Sequence, residues 1–180
     1  MCVKDLVFGK AYERHVDAFL ELIDERIEWM NAVGIDQWNN NHYHERYPKE
    51  YFLDVARSGK MYMLSNKDDG KMVAGAVLFE EDKRWGKMSS SAYYLHNLAA
   101  SLREKNSGRR LVEEIERLSR LHGKEFLRLD CICGNEALNA WYESMGFKFV
   151  GRCTDGEYRG NLRENNQAII LSNHPAKELH

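Results

Sequence analysis

Residues 101–123, SLREKNSGRRLVEEIERLSRLHG, decide how this chain is read. The stretch begins as a polar loop and becomes an amphipathic helix at Gly108. Leu111, Val112, Ile115 and Leu118 recur on one face, and Gly123 supplies the stop. A loop that runs into a helix start can hold an anion. The first backbone N–H groups there are unpaired, and the dipole end carries about half a positive unit charge. Arg103, Lys105, Arg109 and Arg110 add positive charge around the same turn. Asn106 stands where a phosphate-holding loop would be expected to carry glycine, and asparagine is the non-glycine residue that best tolerates positive φ. An anion-binding turn with one substitution and a solvated basic helix start both remain open on these residues alone.

Outward from this loop the chain alternates strand and helix signals. LVFGKA reads as a short strand. Val16, Phe19, Leu20, Ile23, Ile27 and Met30 follow at steps of three and four, the face of a helix that Gly34 ends. GIDQWNNNHYHERYP, residues 34–48, has no clear period and reads as a loop, after which Pro48 opens a short helix through KEYFLDVARSG. MYMLSN and MVAGAVLF are strands joined across the Asp69-Gly70 turn, and AYYLHNLAA is a third strand leading into the loop. Beyond the helix come the strand FLRLDCIC, a short helix NEALNAWYESMG with Asn135 as N-cap and Gly146 as stop, and an antiparallel pair FKFVGRC and NQAIILS. The order is an α/β mixture that calls for a central mixed sheet with helices on its faces. Residues 1–172 read as one domain and residues 173–180 as a disordered tail.

Composition narrows the classes. With 180 residues, 43% hydrophobic and 30% charged, the chain can bury the core of a single globular domain. A formal charge of −2 gives no reason to expect nucleic acid or an anionic membrane as the main partner. No apolar run spans a bilayer, and the N-terminus lacks a signal-peptide pattern, so a cytoplasmic protein is expected. The four cysteines, Cys2, Cys131, Cys133 and Cys153, read as reduced thiols. His42 and His44 in HYHE lack a defined set of further ligands, so no metal is expected.

The element order and three signatures together resemble the GNAT superfamily of acyl-CoA-dependent N-acetyltransferases, over residues 3–172. The first signature is a strand, then R/Q-x-x-G-x-G/A, then a helix, matched by Arg103-Glu104-Lys105-Asn106-Ser107-Gly108 with Asn106 replacing the first glycine. The second is an asparagine after the next strand, Asn135. The third is a tyrosine four residues before Gly-Phe, matched by Tyr142, Gly146 and Phe147. YLHNLAA and LRLDC also look like a subgroup with LHRLAV-type and LRLDC-type strands. The resemblance implies a GNAT-like fold: a mostly antiparallel mixed sheet whose one parallel pair splays apart, with helices on both faces. It implies acetyl-CoA as co-substrate, held along Leu98 and Ala100, by the turn Arg103, Lys105, Asn106, Ser107, Gly108 and Arg109, and by Asn135, with no metal.

Direct transfer, as the resemblance implies it, needs a held thioester, a deprotonated amine, a stabilised oxyanion and an accommodated thiolate. The backbone N–H of Leu98 would face the thioester oxygen, a type of contact worth roughly 3–4 kcal/mol. A lysine-like amine is only about 0.04% neutral at pH 7, a deficit of roughly 4.6 kcal/mol, so a base or an ordered water chain must remove its proton. His96 lies on the splayed strand two residues before Leu98 and is the candidate base, a structural histidine being the other reading. Tyr142 stands where the family's general acid stands, beside the departing sulfur, or else packs beside Trp141. Trp29, Trp38, Tyr43 and Tyr47 would wall the acceptor pocket, with Glu45 attracting a cation. The expected activity is acetyl transfer to a primary amine of a small molecule. A non-catalytic CoA- or partner-binding domain and a protein or peptide N-acetyltransferase are the alternatives, and a homodimer is left open.

Overall fold

A computed structural model describes residues 5–39 and 42–167. Strands β1 (Leu6–Lys10), β2 (Met61–Asn66), β3 (Met72–Phe79), β4 (Ala92–Ala100), β5 (Phe126–Ile132), β6 (Lys148–Asp155) and β7 (Tyr158–Asn166) form one sheet in the order β1-β2-β3-β4-β5-β7-β6. Helices α1 (Val16–Val33) and α3 (Lys49–Arg57) cover one face, and α4 (Ser107–Leu121) and α5 (Glu136–Glu143) the other. The two-residue period of each strand feeds two cores. Along β2, Tyr62 and Leu64 join Leu111, Ile115 and Phe147 on the α4 side, whereas Met61 joins Phe19, Ile23 and Phe52 on the α1 side.

Every pairing is antiparallel except β4 with β5, which run parallel only from Ala92↔Phe126 to Leu95↔Leu129. Past Leu95 the two strands part, while β5 stays paired with β7 as far as Ile132↔Gly160. This is the expected splayed pair in a mostly antiparallel sheet.

Three details depart from the sequence reading. A short helix α2 (Tyr43–Arg46) forms inside the expected loop, because the buried Tyr43 ring packs on Trp38 and Tyr47 and anchors one turn. The last strand starts earlier than expected: β6 turns through Gly156 and Glu157, with Gly156 at φ 62°, straight into β7. The charges of residues 158–166 hide this strand in the sequence, although Arg163 among them is buried. Arg163 donates to Asn139 Oδ1, Phe147 O and Glu143 Oε1. Only the beginning of the expected strand at residues 166–172 overlaps β7; residues 168–172 and the expected tail lie outside the described residues. Third, a single 3-10 turn, Lys83–Trp85, stands between β3 and β4, where the sequence offered no element.

Candidate active site

The splay between β4 and β5 opens into a cavity of about 530 Å³, which runs from the start of α4 to the segment around α2. At its α4 end, Asn106 is the N-cap at φ 64°, in the left-handed region as its residue type permits, and makes no side-chain capping bond. The helix begins at Ser107, one residue before the expected start. Ser107 is buried, its hydroxyl donating to Glu104 O at 2.8 Å. A Cβ on Gly108 would lie 3.3 Å from Ala100 Cβ and 3.7 Å from the Trp141 ring, so glycine lets α4 sit close against β4. Lys105, Asn106, Ser107, Gly108 and Arg109 all line the cavity, and Arg109 also donates to Ser144 Oγ at 2.8 Å. Arg103 lies outside the lining; it is 86% exposed and pairs with Glu25 at 3.6 Å.

The middle of the cavity is a bulge in β4. Val77 pairs with His96 and Gly75 with Ala99, so Asn97 and Leu98 face a single residue of β3. Asn97 adopts φ 51°. Two tyrosines hold it there: Asn97 Nδ2 donates to Tyr43 Oη at 2.7 Å, and Tyr51 Oη donates to Asn97 Oδ1 at 3.2 Å. Burial pushes both phenols up, so they stay protonated and keep these bonds. Leu98 and Ala100 line the wall here, and Ala100 O accepts from Arg26 Nε at 2.6 Å. Across the gap, Asn135 Oδ1 accepts from Leu138 N, capping α5, and its Nδ2 donates to Gln37 Oε1 at 3.1 Å.

The far end is built by charged side chains from distant parts of the chain. His96 Nε2 lies 3.0 Å from Asp82 Oδ2, and Asp82 Oδ1 accepts from Arg84 N at 2.9 Å. Arg84 donates to Asp130 at 3.1 Å and to Asp155 at 3.2 Å; Tyr158 Oη donates to Asp130 at 2.6 Å. Oxygens of Asp82 and Asp130 and a His96 ring nitrogen lie within 4.8 Å of one another, with Arg84 touching both aspartates. Burial works to raise the Asp82 carboxyl, but hydrogen bonds from His96 and the Arg84 backbone N–H outweigh it and hold the group below its ordinary value. Trp85, at the end of the same 3-10 turn, packs on the buried Arg128, whose guanidinium is satisfied by Glu164, Tyr94 and Ser90. That stack fixes the turn presenting Asp82 and Arg84.

Tyr142 stands between the two ends. Its ring packs against Trp141 and Phe147, it lines the cavity, and burial first, then its neighbours Cys131 and Asp130, pushes its phenol up. The phenol therefore stays protonated and able to donate. Cys131 lines the same cavity with its thiol pushed up to about 11 by burial. The described cysteines are free thiols, and Cys2 lies outside the described residues.

Trp29, Trp38, Tyr43, Tyr47, His96 and Tyr142 thus share one cavity with the α4 turn. Glu45 does not: it faces a second, smaller cavity with its carboxylate 3.3 Å from His42 Nδ1, and His44 pairs with Asp24. Asp82, Arg84, Asp130 and Tyr158 escape sequence reasoning. Asp82 and Arg84 fall in a segment without periodicity, and Asp130 sits inside the recognisable strand signal LRLDC without its role being legible.

The acetyltransferase (GNAT) family model matches residues 21–147, and the chain belongs to that family. It is an acyltransferase by that membership. A curated relative, the uncharacterized N-acetyltransferase YesJ of Bacillus subtilis (strain 168), is 26% identical over 144 residues, covering 75% of this chain and 77% of the relative. Among solved structures, a GNAT-family acetyltransferase from Listeria monocytogenes 4b F2365 superposes with a TM-score of 0.73 at 20% identity, covering 89% of this chain and 94% of the other. The PaiA N-acetyltransferase of Thermoplasma acidophilum, solved in complex with coenzyme A, gives 0.69 at 19% identity over 90% and 99% of the two chains. Among the described residues, no helix is long and apolar enough to cross a membrane.

Proposed function

We propose that this acyltransferase moves the acetyl group of acetyl-CoA directly to a primary amine of a small molecule. The observation that carries the reading is the continuity of one cavity, from the α4 turn past Tyr142 and the β4 bulge to His96. The residues at the α4 end fit a pyrophosphate: the backbone N–H groups of a helix start, Lys105 and Arg109 beside them, and a glycine where α4 meets β4. Leu98 at the bulge would offer its N–H to the thioester oxygen. The Tyr142 hydroxyl would donate a hydrogen bond to the sulfur as negative charge gathers there, a stabilisation made chiefly in the transition state. His96 would take the proton of the attacking ammonium.

Two features favour a small cationic acceptor. Asp130, alone among the carboxylates of the cluster, lines the cavity and would face the ammonium. Trp29, Trp38, Tyr43 and Tyr47 give the cavity aromatic surface, suited to an amine on an apolar body. Release of free CoA from acetyl-CoA, measured against a panel of small primary amines and of peptides, tests the reading. Turnover with small amines and none with peptides is expected. Turnover confined to peptides would make this a protein acetyltransferase, and acetyl-CoA binding without turnover on any acceptor would remove catalysis. With an accepted amine, His96→Ala should lower turnover more at pH 7 than at pH 9, where more amine is already free.

A further inference from the structure

We infer that Asp82 is a positioning residue for catalysis: it fixes the His96 imidazole in the tautomer whose free nitrogen takes the proton of the acceptor amine. The inference rests on His96 being the base. His96 lines the cavity and Asp82 does not, and the two side chains, 15% and 7% exposed, meet at 3.0 Å through Nε2 and Oδ2. An ionised carboxylate only accepts hydrogen bonds, so the ring nitrogen facing it must carry the hydrogen. The proton then resides on Nε2, and Nδ1 keeps the lone pair. When the ammonium gives its proton to Nδ1, the imidazolium that forms has a carboxylate beside it, and the free amine attacks the acetyl carbon.

Asp82 is itself held in place. Its second oxygen accepts from Arg84 N, capping the 3-10 turn, and Trp85 of that turn is clamped on Arg128. The other groups around the ring are Arg84 from the same turn, Asp130 from β5 and the Phe79 ring from β3, at 5.2 Å between ring centroids. Arg84 is already committed to Asp130 and Asp155, which leaves Asp82 as the carboxylate that orients the imidazole.

Long-range proton–nitrogen NMR on the wild-type protein with labelled histidine, His96 being assigned by loss of its signal in His96→Gln, reads the tautomer directly. Hydrogen on Nε2 and none on Nδ1 is expected; hydrogen on Nδ1 would overturn the inference without any variant having to fold. Asp82→Asn keeps the shape and the cap acceptor but removes the charge. It should lower kcat by about 10²- to 10⁴-fold and leave the acetyl-CoA dissociation constant within about two-fold. In the His96→Gln background, Asp82→Asn should cost nothing further, because both act through one group. An equal loss in both backgrounds would make Asp82 merely structural. Full turnover in His96→Gln would sink the base reading, whereas a slow His96→Gln beside a fast Asp82→Asn would sink only the role of Asp82.

Discussion

The two ends of the cavity are made of different material. At the α4 end the chain turns back on itself within residues 100–109, and much of what it presents is backbone: a left-handed N-cap, a helix start and a glycine packed against β4. At the acceptor end, Asp82, His96, Asp130, Asp155 and Tyr158 come from four strands and a 3-10 turn, and their side chains meet because the sheet places them so. A site of backbone is specified by a few neighbouring residues and tolerates change in the rest. A site of side chains depends on the fold that aligns it. Substitutions should therefore separate binding of the cofactor from turnover.

The largest effect is expected at Arg128, which does not line the cavity. Its guanidinium is buried against Glu164, Tyr94 and Ser90 and stacks on Trp85. Arg128→Met leaves Glu164 and two hydroxyls short of a donor, and stability should fall by about 3 kcal/mol, read by chemical denaturation. In the folded fraction the Asp82 turn loosens, so kcat should fall while acetyl-CoA affinity holds. Equal losses in both would break the distinction between the ends.

Tyr142 belongs to neither end and joins them. Tyr142→Phe keeps the contacts with Trp141 and Phe147, so melting temperature and acetyl-CoA affinity should change little. The hydroxyl matters as charge builds on sulfur, and kcat should fall about 10²-fold with the Michaelis constant for acetyl-CoA unchanged. Because burial raises this phenol, ionisation of Tyr142 should produce no loss of activity up to about pH 10, its ordinary pKa. Full activity in the variant would remove Tyr142 from the mechanism.

This division also explains what the sequence disclosed. The α4 turn, the Asn135 cap and the position of Tyr142 were legible because each is a local pattern with a known spacing, whereas the splayed pair followed only from the resemblance to the family. So were the buried faces of α1 and α4, whose period is set by the helix itself. The acceptor cluster was legible only at His96. The bond that makes His96 interesting joins it to Asp82 in the segment between β3 and β4, and the clamp on Asn97 reaches 54 residues back to Tyr43. The last strand was misplaced because Arg163 reads as solvated until Asn139 and Glu143 are seen around it. Charges that find partners through the fold are invisible to periodicity.

A smaller effect separates lining from neighbourhood at the cofactor end. Arg103 matches the family motif by sequence but points away from the cavity toward Glu25. Arg103→Ala should weaken acetyl-CoA binding by less than about five-fold, and by less still at high salt, since an exposed charge is screened. A tenfold loss by titration calorimetry would show that Arg103 turns inward when the cofactor binds.

The smallest effect is expected where the motif departs from its pattern. Asn106 adopts φ 64° and ψ 6° without using its side chain as a cap. Glycine in its place meets no steric cost in that conformation, but it also enlarges the unfolded ensemble by an amount worth about 0.4–1 kcal/mol. The two terms oppose each other, so Asn106→Gly should move the melting temperature by only about 2 °C, in either direction. Acetyl-CoA affinity should hold or improve a few-fold, because the N–H groups that face the phosphates belong to the backbone and their directions are unchanged. Asn106→Ala is the sharper control: it keeps a Cβ in the left-handed region without the local hydrogen bonding that lets asparagine go there, and should cost about 1–2 kcal/mol of stability. If Asn106→Gly instead weakens acetyl-CoA binding tenfold with the fold intact, the asparagine side chain itself touches the cofactor. The α4 end would then be a side-chain site like its opposite, and the contrast between them would fail.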